Sequence, residues 1–409
     1  MKLKLHWQIL IAMGLGVLFA MILGEKSGFI APVGNIFIRL LKMVIVPLVM
    51  TSIISGVASV GNAKNLGRLG LKTISYYLLT SLMAILIGLT LVNLIAPGRG
   101  VDIPSSKSIS FEDLNKPDSL SDIFIRMIPD NPVGAAANGD MLGIIFFAIV
   151  FGAVLTKVPK QYGDILIPLI DSLFHAMMKL TGYIIKLAPI GVFGLIVNAI
   201  NATGFELFKA VGKYMITITI GLTIHFLIIL PVIYWIFTKR NPVDHFKNMA
   251  NALVTAFSTS SSSVTLPVTM DCVESNAGVS NKISSFVLPM GATINMDGTA
   301  LYECAGVLFI AQVMGVDLSI SQQLIVVITA LLASIGAAGI PSAGLVMIFI
   351  VLSAVGLQGP TVAMIVGTML AVDRPLDMYR TMVNIFSDSV GAVVIANSES
   401  EISTPNVTR

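Results

Sequence analysis

Long apolar stretches dominate the chain. Trp7 to Gly24, Val33 to Val60, Leu71 to Ala96, Met141 to Thr156, Ile165 to Ala199 and Leu207 to Phe237 run almost without charge. About 20 apolar residues cross a bilayer as a helix, and only helices or closed barrels satisfy their own backbone there. Each stretch therefore predicts a helical span. Phe286 to Val313 and Thr361 to Ala396 bring the expectation to about eight.

The pattern changes after Pro242. Small and polar residues interrupt the apolar runs at Ser258 to Ser263 (STSSSS) and at Ala333 to Gly344 (ASIGAAGIPSAG). Backbone that leaves the helix inside a bilayer must line a cavity or be buried in protein, because unpaired N–H and C=O groups in hydrocarbon are costly. The order also repeats. The serine break is followed by Asn295-Met296-Asp297-Gly298-Thr299, and the break around Gly339 by Asp377 and its polar neighbours. Two interrupted segments in corresponding places point to a transporter binding site made from internal repeats.

Composition supports a membrane solvent. Only 11% of the 409 residues are charged, against roughly 25% in an ordinary soluble domain, and the mean hydropathy is +0.90. A net charge of +3 with few aromatics argues against a nucleic-acid surface. Cys272 and Cys304 sit in or beside apolar stretches and read as isolated thiols. The basic start MKLKLHW precedes an apolar run without a small-residue cleavage site, so a retained first helix with a cytoplasmic N-terminus is expected. Lys64, Arg68 and Lys72, then Lys157 and Lys160, then Lys239, Arg240 and Lys247 fall on that same side. The acidic connection Arg99 to Asn131 falls on the outer side and is expected to be flexible. HExxH, nucleophile-elbow and Walker patterns are absent and the histidines, His6, His175, His225 and His245, are scattered, so no enzyme signature emerges.

The strongest chemistry lies in the last span. Asp373, Asp377, Arg380, Thr381, Asn384 and Asp388 stand at i, i+4, i+7, i+8, i+11 and i+15, which places them within an arc of about 100° on one helical face. A charge at the bilayer centre costs at least about 2.5 kcal/mol, so the stripe should face a site or a wet cavity. Arg380 offers a planar fork for a carboxylate and Asp377 a partner for an ammonium group, which together suit a zwitterion with an extra acid. Asn384 and Asp388 add oxygens suited to a hard cation, although Asp388 also fits an internal ion pair.

Asn295-Met296-Asp297-Gly298-Thr299 is the second constellation, and its glycine predicts a local unwinding that turns carbonyls toward an ion. Glu303, one turn past Thr299, reads either as a proton carrier or as the partner of a base such as Arg374. Hydroxyls and N–H groups at Ser260 to Ser263, where a short helix would restart, suit a carboxylate. Tyr77, Thr80 and Ser81 put three oxygens on one turn of the third span.

These residues carry a resemblance. RLLKMVIVPLVM at 39–50, YYLLTS at 76–81, NPVGAAANGDML at 131–142, APIGVF at 188–193, TLPVT at 265–269, LPMGATINMDGTALYE at 288–303, ASIGAAGIPSAG at 333–344 and VDRPLDMYRTMVN at 372–384 resemble the dicarboxylate/amino acid:cation symporter family, which includes the glutamate transporters and the prokaryotic aspartate transporters. The likeness covers nearly the whole chain. It implies an all-α membrane protein of eight spans plus two re-entrant helical hairpins in inverted repeats, assembled as a homotrimer. Residues 1–70 and 97–204 would form a scaffold, and 71–96 and 205–409 a transport domain that moves like an elevator.

By the same resemblance Ser262, Thr299, Ile340, Gly344, Asp377, Arg380, Thr381 and Asn384 would hold the substrate. Sodium ions would be held by Gly291, Asn295, Asn384 and Asp388; by Thr293, Ser334, Ile335 and Ala337; and by Tyr77, Thr80, Ser81, Asn295 and Asp297. Archaeal relatives place an arginine where this chain has Ser260, and animal relatives one where it has Met378; its own extra arginine is Arg374. Arg374 is expected to take over that role and to pair with Glu303 or the first hairpin, with Glu303 matching the carboxyl of proton coupling. The function implied is uptake of aspartate or glutamate with sodium and protons. A four-carbon dicarboxylate symporter and a channel-like anion conductance are the alternatives.

Overall fold

The computed structural model describes residues 5–61, 67–101, 125, 127–335 and 343–402. Most of the acidic connection 99–131 lies outside them. Among the described residues there are helices and no strand, only an isolated bridge between Val279 and Ile402.

The first helices are α1 (Leu5–Leu23), α2 (Ala31–Gly61), α3 (Gly67–Ile95), α4 (Pro132–Asn138) and α5 (Met141–Leu155). Then come α6 (Lys160–Ile185), α7 (Ala188–Thr203), α8 (Glu206–Ile224) and α9 (Leu230–Thr238). The second half holds α10 (Pro242–Thr259), α11 (Ser262–Asp271), α12 (Asn281–Ile294), α13 (Asp297–Val313), α14 (Ile320–Ile335), α15 (Ala343–Ala354) and α16 (Pro360–Ser398).

One expectation needs correction. The single span expected over Ile165 to Ala199 is two helices, α6 and α7, parted at Lys186–Leu187. Pro189 opens α7, where its missing N–H is harmless; inside a continuous helix it would cost a hydrogen bond and clash with the preceding turn. Lys26–Ala58, Arg68–Ile95, Lys160–Ile185 and Glu206–Thr238 are long and apolar enough to cross a membrane, whereas Trp7–Leu23, Met141–Leu155, Ala188–Thr203, Ile320–Ile335 and Pro360–Leu370 are shorter apolar helices.

Packing sorts the helices into two groups. In one, α1 lies on α7, and α2 on α5, α6 and α7. In the other, α13 is wrapped by α3, α8, α14, α15 and α16, and every α13 side chain except Gln312 is buried. Helices α10 and α11 fold back on each other, as do α14 and α15. The groups meet largely where α16 crosses α7. At the far end of α16, Glu399 bonds Lys72 at 2.6 Å and also pairs with Arg68. These hydrogen bonds, Lys72 first, hold its carboxyl below the usual range, so the tether stands at neutral pH and is lost only as acid protonates Glu399.

Helices α2 and α7 approach through glycine. A Cβ on Gly194 would stand 2.7 Å from the Gly34 nitrogen, and one on Gly34 would stand 2.9 Å from the Leu195 nitrogen. Around Gly194 no flexible side chain can yield, because the opposing atoms, on Gly34 and Ile30, are all backbone. Gly194→Val is expected to destabilise the protein by roughly 1 to 3 kcal/mol, the usual cost of overpacking. A thermal scan in detergent checks this, and an unchanged melting temperature would refute the seam.

Candidate functional site

Helix α16 is about 58 Å long at 1.5 Å per residue, yet its middle is polar. All six stripe residues, Asp373, Asp377, Arg380, Thr381, Asn384 and Asp388, are buried. The stripe therefore faces protein, as the cost of charge in lipid requires. Pro375 sits within it and lacks the N–H that would bond back one turn.

Arg380 is the centre. Its Nη2 donates to Asp373 Oδ1 and to Asp377 Oδ1, both at 2.9 Å, while the guanidinium lies 3.8 Å from the centre of the Tyr302 ring. Desolvated cation–π contacts are worth about 2 kcal/mol or more. Nε and Nη1 have no hydrogen-bond partner among the described residues. A Cβ on Gly344 would come within 2.9 Å of Nη1 and 3.1 Å of the Thr299 methyl, so the start of α15 closes over the unused donors only because residue 344 is glycine.

Around this centre Thr381 donates to the Asp377 carbonyl at 2.8 Å. Asn384 accepts from Gly298 N at 2.8 Å and lies 3.5 Å from Thr299 Oγ1. The unwinding expected at Gly298 falls instead at Asn295–Met296, between α12 and α13. Gly298 is inside the first turn of α13, where an added Cβ would stand 3.0 Å from the Arg380 carbonyl. Its smallness serves the crossing with α16, and the asparagine takes the extended conformation that breaks the helix.

The serine break behaves as capping chemistry requires. Ser260 has φ +53° and ends α10, and Ser261 caps α11 by accepting from Val264 N. The buried hydroxyls of Ser260 and Ser262 have no partner among the described residues.

A second cluster lies deeper. Asp297 Oδ1 accepts from Ser81 at 2.7 Å and from Thr80 at 3.2 Å, and its Oδ2 accepts from Ser387 at 2.7 Å and from His225 Nε2 at 2.9 Å. Asn295 donates to Asp388 Oδ1 at 2.8 Å and to Ser387 at 3.0 Å. The Thr80 hydroxyl also touches the Tyr77 carbonyl, at 3.2 Å, and the Asn295 side-chain oxygen, at 3.5 Å. Gly291 is pressed against Asp388 and the Tyr77 hydroxyl, which stands 2.6 Å from where its Cβ would be. Tyr77, Thr80, Ser81, Gly291, Asn295, Asp297 and Asp388 thus converge from α3, α12, α13 and α16. Together they offer carboxylate, amide, hydroxyl and carbonyl oxygens, the donor types a hard cation takes.

Other expected residues are placed differently. Thr293 bonds the Met290 carbonyl and Ser334 the Leu331 carbonyl, each within its own helix, and Ile335 ends α14. Ile340 and Ala337 lie outside the described residues. Arg374 does not reach Glu303; its Nη1 stands 3.4 Å from Asp377 Oδ2. Glu303 is wholly buried, and neither of its oxygens has a hydrogen-bond partner among the described residues. Sequence reasoning overlooked Tyr302, Ser387 and His225. Only Ser387 had a signal, since it adjoins Asp388; the other two owe their place to the packing of α8 and α13 against α16.

Comparison with known proteins gives this geometry a context. Excitatory amino acid transporter 3 of Mus musculus is 37% identical over 96% of this chain and 86% of its own length, and the Homo sapiens protein of that name is 38% identical over 91% and 79%. The proton/glutamate-aspartate symporter of Escherichia coli is 34% identical over 97% of this chain and 93% of its own length. The sequence profile of the sodium:dicarboxylate symporter family matches residues 5–398, and a match of that extent means that this chain, a membrane transporter and not an enzyme, belongs to the sodium:dicarboxylate symporter family.

Proposed function

We propose that this protein takes up an acidic amino acid, aspartate or glutamate, into the cell in symport with sodium ions and a proton. The observation that carries the reading is Arg380, a buried guanidinium with a carboxylate pair on Nη2 and unengaged donors at Nε and Nη1 beside Thr299 and Gly344. A substrate carboxylate takes those donors, and Asp377, relieved of part of its hold on Arg380, takes the ammonium group. The names of the relatives, with glutamate and aspartate among them, support this substrate class.

Sodium occupies the deeper cluster around Asp297, Asn295 and Asp388, and other ions involve Thr293, Ser334, Ile335 and Ala337. Glu303 carries the proton, because a buried carboxyl without a donor is costly as an ion. One charge crossing 100 mV yields about 2.3 kcal/mol, so two or three coupled cations drive an anion steeply uphill.

The helix groups suggest the moving parts. Residues 1–70 and 97–204 form the scaffold, and 71–96 and 205–409 an elevator-like transport domain. In that domain α10–α11 and α14–α15 are the re-entrant hairpins. The N-terminus is cytoplasmic. Helix α6 supports a homotrimer: little of it is buried in the single chain and His175 is exposed on an apolar segment, a face better covered by other copies than by lipid.

Two measurements decide the reading. In proteoliposomes with an imposed sodium gradient, Arg380→Ala should weaken aspartate and glutamate uptake about 100-fold, the loss expected of a charge-assisted pair worth roughly 3 kcal/mol; acidic substrates handled as well as by the wild type would refute the assignment. With internal and external pH varied separately, wild-type uptake should rise with external acid, whereas Glu303→Gln should respond far less. The same pH response in both proteins would remove Glu303 from proton coupling.

A further inference from the structure

Among the described residues, His225 is the histidine tied to the candidate cation cluster. It stands where α8 gives way to a wider π-type turn, His225–Ile229, before α9. Pro231 explains that turn. It has no N–H for the carbonyl one turn back, and the helix absorbs the deficit by a longer bond from Leu230 N to the His225 carbonyl. Such turns recur at functional sites because they re-aim a side chain. Here the ring, wholly buried, points at Asp297.

The four donors on Asp297 divide by oxygen. Oδ1 receives Ser81 and Thr80, hydroxyls that can rotate to present lone pairs to a cation. Oδ2 receives Ser387 and His225. Against a carboxylate the Nε2 of His225 is the donor, and a neutral ring donating one hydrogen cannot also become a cation ligand through that atom. Ser387 is the other anchor of Oδ2, and its oxygen also accepts from Asn295, which links it to Asp388. His225 Nδ1 has no hydrogen-bond partner among the described residues, so the ring is committed to Asp297 alone among them.

We propose that His225 is a positioning residue of the cation site, holding Oδ2 of Asp297 so that Oδ1 faces Thr80 and Ser81 and is ready for a sodium ion. The inference rests on the reading of this cluster as a sodium site. It concerns the orientation of a ligand and requires no change of protonation.

The test compares the purified wild type, His225→Leu and His225→Gln. Leucine fills space without a donor, while glutamine places an amide N–H near the position of Nε2. Sodium titrations of aspartate uptake, and of the sodium-induced rise in melting temperature, give the sodium midpoint. Removing a group that orients a metal ligand commonly costs 10- to 100-fold in metal affinity, so the leucine protein should need about tenfold more sodium and the glutamine protein should stay within about threefold of wild type. The KM for aspartate at saturating sodium should be alike in all three.

A wild-type midpoint in the leucine protein, or a glutamine protein no better than leucine, overturns the inference. Should the leucine protein not fold, the glutamine protein decides alone: a midpoint near wild type upholds the role, and a tenfold rise refutes it. A wild type whose uptake and melting ignore sodium sinks the cation reading itself, a result distinct from any difference among variants.

Discussion

One buried guanidinium organises the second half of this protein. Arg380 is held in an apolar setting by Asp373, Asp377 and the face of Tyr302, and breaking such a buried pair by removing one partner typically costs about 3 to 5 kcal/mol. Everything near it is arranged to keep the charges matched and still leave donors unused. Helix α13 must be buried on every side so that Tyr302 can cover the cation. Small residues must stand wherever another backbone crosses, as Gly298 and Gly344 do.

The deeper cluster obeys the same constraint in the opposite sign. Asp297 and Asp388 are two carboxylates out of reach of Arg380, joined through Asn295 and Ser387. Hydroxyls and one imidazole satisfy Asp297 in place of a fixed cation. Groups of that kind can turn, whereas a lysine or arginine would have filled the position permanently. A site meant to load and release an ion needs neutral donors, and the molecule supplies them from α3, α8 and α16.

The breaks in the helices serve these two centres. Asn295–Met296 opens the chain between α12 and α13, and the cap at Ser260–Ser261 turns α10 into α11. Both are cheap in backbone terms. Ser261 accepts from Val264 N at one break and Asn384 of α16 accepts from Gly298 N at the other, so side-chain oxygens meet backbone N–H groups where the chain leaves the helix.

Much of the fold and of the site is legible in the sequence by itself. Hydrophobic length and charge scarcity determined a helical membrane protein, because bilayer thickness and backbone hydrogen bonding leave few other solutions, and the i, i+4, i+7 spacing of Asp373, Asp377 and Arg380 determined that they share a face. Other features were settled by packing between distant segments. Arg374 turns to Asp377 and not to Glu303, α6 and α7 divide at Pro189, and His225 reaches Asp297 from the end of α8. Spacing along one helix specifies direction about its own axis alone. Which neighbour that direction meets depends on how helices far apart in sequence cross, and side chains with no local periodic signal, such as His225 and Tyr302, acquire their partners only there.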